Sequence, residues 1–187
     1  MAEAVAQDWS GTRLCGDGFV LRRWRHEDLD ALVRHANDER VARGLSDRFP
    51  CPYRRVDGEA FLAGRAVDLA EPLFAIEVAG EAVGGIGARP GRGERRHGAE
   101  FGYWLGASHW GRGVMTRVVA VFAPWLMAEL DLLRLQATVM DNNPASARVL
   151  LNNGFSEEGV QRSAVVKFGQ VHDLRVFSRV LQRTASD

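Results

Sequence analysis

Residues 109–116 read HWGRGVMT, and this short run is the densest patch of ligand chemistry in the chain. Gly111 and Gly113 flank Arg112. Glycine allows φ > 0 and lets a ligand approach bare backbone N–H groups. The residues that follow, VMTRVVAVFAPWLM, read as a helix. Its first turn carries free N–H donors and about half a unit of positive charge. Glycines ahead of such a helix suit an anion, above all a pyrophosphate, and Arg112 can add a charge-assisted bond. A plain turn would use the same residues. The run is not a Walker loop, since no Gly-Lys-Ser/Thr follows. It is not a dinucleotide fingerprint either, because Thr116 stands where the third glycine belongs and Arg117-Val118 follows.

Two further positions carry possible proton chemistry. Glu100 begins a strand-like run, Ala99 to Leu105, that leads into the glycine loop. Ser146 sits in the first turn of a second helix with clear punctuation. There Asn143 suits the N-cap, Pro144 N1 and Gly154 C′, with Phe155 placed to pack back on Leu150. Each has an ordinary alternative, a solvent-facing strand Glu and a plain first-turn Ser.

The elements that must position these groups follow from periodicity. Phe19 to Trp24 reads as a strand and His26 to Ala36 as an amphipathic helix. Ser46 to Arg55 holds two prolines and reads as a loop, and Phe61 to Leu69 as a second short helix. Leu73 to Val78 and Ala82 to Ile86 form a hairpin around Ala79-Gly80-Glu81. Arg89 to Gly98 is a charged, Gly-rich connection. Val114 to Leu130 is apolar nearly all round, a buried helix that Pro124 should kink or split. Leu133 to Met140 is apolar enough for a central strand. Val160 to Phe168 and Leu174 to Leu181 close the chain as two strands around Gly169-Gln170. The expected class is mixed α/β, a sheet covered by helices.

Composition narrows the function. At 187 residues the chain fits one domain. Residues 1–13 read as a poorly ordered tail, 14–182 as the domain and 183–187 as a second tail. Basic and acidic residues number 24 each, which excludes a broad nucleic-acid footprint. Cys15 and Cys51 have no metal spacing, so no metal is expected. The longest apolar run, Val118 to Ala128, is too short to span a membrane. The N-terminal residues lack the pattern of a signal peptide, so a cytoplasmic location is expected.

The strings GAEFGYWLGASHWGRGVMT (98–116) and DNNPASARVLLNNGF (141–155) together resemble the GNAT superfamily of acyl-CoA-dependent N-acyltransferases. Within it the chain is similar to the RimJ/RimL branch of ribosomal-protein N-terminal acetyltransferases. FVLRRWRHEDLDALVRHANDERVARGL and GQVHDLRVFSRVL support this, so the resemblance covers roughly 15 to 182. It implies a mostly antiparallel sheet of about seven strands, splayed between the fourth and fifth. It implies that Trp110, Gly111, Arg112, Gly113, Val114, Met115 and Thr116 hold the pyrophosphate of CoA. Leu105 would end a strand whose free edge pairs with the pantetheine amides, Asn143 would touch the pantetheine arm, and Ser146 would lie near the sulfur. Leu151-Asn152 departs from a frequent Glu-Lys pair, and Pro124 is unusual in its helix.

The implied reaction is direct attack of a primary amine on acetyl-CoA, with Glu100 as base and Ser146 as acid. Many relatives use a tyrosine acid. Tyr53 and Tyr103 are the only tyrosines and neither lies on the Asn143 helix, which argues against that variant. His172-Asp173 and His97 are weaker site candidates. A free α-amine, with pKa about 7.7–8.0, is partly neutral near pH 7.5, whereas a lysine near 10.4 is only about 0.1% neutral. A lone Glu therefore favours α-amines. Other readings are a succinyl-type donor held by Arg54, Arg55 or Arg175, and a CoA-binding sensor without turnover. A homodimer is a further expectation from the branch.

Overall fold

The computed structural model describes residues 8–181. Strands β1 (Arg13–Gly16) and β2 (Phe19–Arg23) precede the helices α1 (Leu29–Ala36), α2 (Glu39–Ala42) and α3 (Arg55–Leu62). Strands β3 (Leu73–Val78), β4 (Glu81–Pro90) and β5 (Gly98–Leu105) lead to α4 (Val114–Glu129) and β6 (Arg134–Met140). Then come α5 (Pro144–Leu151), β7 (Ser156–Lys167) and β8 (Gln170–Val180). The eight strands form one sheet in the order β1-β2-β3-β4-β5-β6-β8-β7. Only β5 and β6 run parallel, because α4 crosses between them.

That parallel pair is short. It joins Gly98, Ala99 and Glu100 to Arg134, Leu135 and Gln136, and then stops. Beyond it the two strands splay. Both keep their outer partners, since β5 pairs with β4 up to Leu105 and β6 pairs with β8 up to Met140. The splay lies where the sequence reading put it. The eighth strand is β1, which the reading folded into the tail and a loop.

Alternation sorts the sheet into two faces. Ala99, Phe101 and Leu105 of β5 and Leu135, Ala137 and Val139 of β6 are buried. They share a core with Val118, Val119, Phe122, Ala123 and Leu126 of α4 and Leu150 of α5. Phe74, Phe122 and Trp125 stack edge-on at its centre. Trp9 joins them, with its indole N–H on the Ala70 carbonyl at 3.0 Å. At Trp9, therefore, the expected N-terminal tail is packed core; residues 183–187 lie outside the described residues. The other face carries a smaller aromatic cluster with Leu32, Tyr53, Phe49, Phe61, Trp24 and Trp104.

Three expectations need correction. The helix read at 61–69 lies at Arg55–Leu62. The Asp57 carboxylate accepts from the Arg54 N–H at 2.7 Å and starts it early, and Arg65 N–H turns back on the Ala60 carbonyl at 2.9 Å and ends it. The same shift makes Arg55, read as loop, the first helical residue. Pro124 does not split α4, which runs from Val114 to Glu129. Pro124 and Ala120 are both exposed, so the Ala120 carbonyl freed by the missing N–H lies on the solvated face.

A buried ion group ties β2 to the turn before α1. The Arg22 guanidinium donates to both Asp28 oxygens at 2.8 Å and also to Glu77. These bonds, Asp28 first, hold the guanidinium pKa above its ordinary value. Removing Asp28 leaves the buried guanidinium with Glu77 alone and strips two charge-assisted bonds, each worth about 1.5–3 kcal/mol. Asp28→Ala is therefore expected to lower the melting temperature by on the order of 10 °C. An unchanged thermal melt would contradict this account.

Candidate functional site

The gap between β5 and β6 exposes unpaired backbone. Gly106 N–H bonds the Val83 carbonyl at 2.8 Å, on the β4 side. By alternation the peptide groups of Phe101, Tyr103 and Leu105 point the other way, into the gap. The Leu105 carbonyl is already engaged, since the Trp110 indole N–H donates to it at 2.7 Å. Past the Glu100–Gln136 pairing, the N–H groups of Tyr103 and Leu105 and the carbonyls of Phe101 and Tyr103 have no strand partner among the described residues, the arrangement to which an extended chain of amides can add itself.

The glycine loop lies at the mouth of the gap. Gly111 has φ 73° and Gly113 φ 68°, both left-handed, and Gly113 is the N-cap of α4. A Cβ on Gly111 would meet nothing, so the space above it is open. The first backbone bond into α4 runs from Arg117 N–H to the Gly113 carbonyl at 3.1 Å. The N–H groups of Val114, Met115 and Thr116 precede it and are the unpaired donors of this terminus. Val114 and Met115 side chains are buried, which anchors the turn, while Gly111, Arg112 and Gly113 are exposed. The Arg117 guanidinium braces the loop through the Arg112 carbonyl at 3.1 Å and the Asp17 carbonyl at 3.0 Å.

The second helix terminus faces the same gap. Asn143 Oδ1 accepts from Ser146 N–H at 3.1 Å, the cap expected from sequence. Gly154 has φ 74°, and Phe155 N–H reaches the Leu150 carbonyl at 3.2 Å. Asn153 Nδ2 donates to the Thr116 carbonyl at 3.2 Å and the Val149 carbonyl at 2.8 Å, which ties α5 to the first turn of α4. Sequence reading passed over Asn153; a side-chain amide at a helix end gave no periodic signal.

Tyr103 is the largest departure from expectation. It is not on α5, yet its hydroxyl is 2.9 Å from Ser146 Oγ and 3.2 Å from the Ser146 carbonyl. Burial pushes the Tyr103 phenol up to about 12, against a smaller lowering from the Ser146 bond. The phenol therefore stays protonated at neutral pH. Position on the α5 helix does not reveal this contact, because β5 and α5 are brought together only by the fold.

Glu100 is exposed and points to the opposite face from Tyr103. It sits at the last residue of the parallel pairing, where the gap begins. With about 3.3 Å per residue, it lies roughly 10 Å along the strand from Tyr103. The two candidate proton groups thus flank the gap from its two faces. His172 is buried, with Nδ1 on the Asp141 carboxylate at 2.8 Å, beside the Asn143 cap. His97 lies at the other end of β5 and bonds the Asp131 carbonyl at 2.9 Å. Arg55 pairs with Asp30 and Arg175 with Glu157, so two of the three arginines considered for a second carboxylate are already engaged.

A family model for the acetyltransferase (GNAT) domain matches residues 19–156. The chain belongs to the GNAT acetyltransferase family. It is 36% identical over 85 residues to the uncharacterized N-acetyltransferase YoaA of Bacillus subtilis, covering 46% of this chain and 48% of that protein. The chain thus spans about half the length of the first curated relatives it matches. A longer match, 28% identical, covers 86% of this chain and 91% of the N-acetyltransferase p20 of Bacillus licheniformis. The ribosomal-protein-serine acetyltransferase of Escherichia coli is 30% identical over 44% of this chain and 46% of its own. Among solved structures, RimL in complex with coenzyme A superposes with a TM-score of 0.81 at 20% identity, over 91% of this chain and 98% of that one. RimJ of Mycobacterium smegmatis does so at 0.76 and 24% identity, over 90% and 84%.

For a GNAT chain the geometry fits acetyl-CoA as a cosubstrate. Unpaired N–H donors of the α4 turn suit its phosphates, and the free β5 edge suits its amides. No group of three or more metal-ligating side chains occurs among the described residues. No helix among them is long and apolar enough to cross a membrane.

Proposed function

We propose that this chain is an N-acetyltransferase that moves an acetyl group from acetyl-CoA to a primary amine, by direct attack in a ternary complex. The observation that carries the reading is the gap between β5 and β6, with a helix N-terminus at its mouth and Ser146 bonded to Tyr103 on its wall. Backbone N–H groups of Gly111, Arg112, Gly113, Val114, Met115 and Thr116 hold the pyrophosphate, with the Arg112 side chain beside them and the Trp110 indole locking the end of β5. The edge ending at Leu105 pairs with the pantetheine amides, and Asn143 borders the arm.

The reaction forms an N–C bond and breaks the C–S bond. The amine nitrogen attacks the thioester carbon. One amine proton passes to Glu100, and the departing thiolate takes a proton from Ser146, which Tyr103 replenishes through the 2.9 Å bond. Positioning of the two reactants supplies much of the rate. The E. coli relative is a ribosomal-protein-serine acetyltransferase, and a protein α-amine is the acceptor class we assign here. Its lower pKa asks less of a single carboxylate than a lysine does.

The test is thiol release from acetyl-CoA with a panel of amines, alongside thermal stabilisation by acetyl-CoA. Stabilisation with release from an α-amine is expected. Stabilisation with no release from any amine would instead make the chain a cofactor sensor, and neither effect would refute the reading outright. Glu100→Gln is expected to lower kcat by about 100-fold and to leave acetyl-CoA stabilisation intact. A variant with wild-type kcat removes Glu100 from the mechanism.

A further inference from the structure

One strand from Glu100 the surface dips into a shallow, solvent-open cleft of about 720 Å³, lined by Arg48, Arg65, Asp68, Glu71 and Arg89 among others. Arg89 is the direct β4 partner of Glu100, so the cleft begins one strand away from the proposed base. Neighbouring strands are about 4.8 Å apart, a span of about three or four bonds, or little more than one residue of an acceptor beyond its amine.

The charges in the cleft do not cancel. Glu71 takes up Arg89, at 3.3 Å. Asp68 is turned onto its own loop, accepting from Ala70 N–H at 2.9 Å. Arg48 and Arg65 have no carboxylate partner among the described residues. Both are exposed and reach the cleft from separate elements, Arg48 from the segment after α2 and Arg65 from the turn after α3.

The walls are fixed. The Arg23 guanidinium bonds the carbonyls of Glu71 and Leu73 at 3.2 and 3.0 Å, and also that of Leu69. The segment carrying Arg48 is pinned on either side of it. The buried Lys167 ammonium donates to Asp47 at 2.8 Å, and the Phe49 ring lies 5.4 Å from Trp104. Two unpaired guanidinium groups on a pinned backbone form a cationic rim suited to an anion.

We infer that the acceptor carries an acidic side chain close to its amine, and that Arg48 and Arg65 bind that carboxylate. The inference rests on the transferase reading and names its substrate class: a peptide terminus with Asp or Glu in the second or third position. Arg89 completes the rim and, through Glu71, keeps from neutralising Glu100.

The experiment measures binding and turnover separately, with the full chain and saturating acetyl-CoA or CoA. One hexapeptide carries Asp at positions two and three and its control carries Asn. Calorimetry in the presence of CoA is expected to show about tenfold tighter binding of the Asp peptide. Arg48→Ala and Arg65→Ala should each reduce that preference about threefold, and the double variant should erase it, in line with partly exposed ion pairs. Lysine at either position should restore part of it. The preference should also shrink in high salt. Equal binding of the two peptides, or a preference untouched in the double variant, overturns the inference. Thiol release measured on the same peptides reports on the transferase reading. Its absence, with the binding preference intact, would sink that reading and not this site.

Discussion

Gly113→Val is expected to lower acetyl-CoA affinity by at least about 100-fold while the protein still folds. Gly113 is held at φ 68° as the N-cap of α4. Valine in that region costs roughly 1–2 kcal/mol from sterics alone. Escaping the strain rotates the peptide groups that aim the Val114 and Met115 N–H donors outward. A Cβ there would also crowd the Arg117 guanidinium, 3.2 Å away, which braces the loop. Together these effects spoil donor direction and close approach, the two properties a pyrophosphate needs. Gly113→Asn separates them, because Asn tolerates the left-handed region. It should keep much of the affinity that valine loses. Calorimetry with acetyl-CoA reads both variants. Wild-type affinity in Gly113→Val would remove the phosphate assignment.

The second large effect is on proton delivery. Ser146→Ala is expected to lower kcat by about 100-fold, and Tyr103→Phe by about 10-fold. If the proposed relay holds, with the tyrosine acting through the serine, the two losses are not additive and the double variant should be no worse than Ser146→Ala. Acetyl-CoA binding should change little in all three. The Asn143 cap survives in Ser146→Ala, since it engages the backbone N–H and not the hydroxyl. A double variant that loses the product of the two effects would separate Tyr103 from Ser146.

The same pair sets an expectation for pH. Burial raises the Tyr103 pKa to about 12, so the folded protein keeps the phenol neutral. The sign is that of an acid whose folded value lies above its unfolded one, near 10. Its contribution to stability is complete below pH 10 and is lost as pH rises towards 12. On the same ground kcat should show no alkaline loss from this group through pH 9. A Tyr103-dependent fall below that pH would contradict the burial account.

Much of this site was legible in the sequence. The loop Trp110–Met115, the Asn143 cap, the Pro144 start and the Gly154 stop all rest on short-range rules of backbone conformation. Those rules act within a few residues, so the chain states them directly. The central strand at 133–140 and the buried helix after the loop followed from period and apolar content. The helix at 55–62 was misplaced because its start depends on one carboxylate, Asp57, and not on apolar period. β1 was overlooked because four residues carry too little alternation to read.

What the sequence determined alone was the list of parts. It supplied a glycine turn, two helix N-termini, a Glu at a strand start and a Ser in a first helical turn. Only the tertiary structure decided which parts meet. The three-residue pairing of β5 with β6 opens the gap, and that depends on both outer partners holding each strand away from the other. Tyr103 and Ser146 come from elements 43 residues apart and touch because α5 packs across the splay. Arg48, Arg65 and Arg89 share one cleft for the same reason. Long-range packing energy is a sum over many small contacts between distant segments, and no local pattern records it.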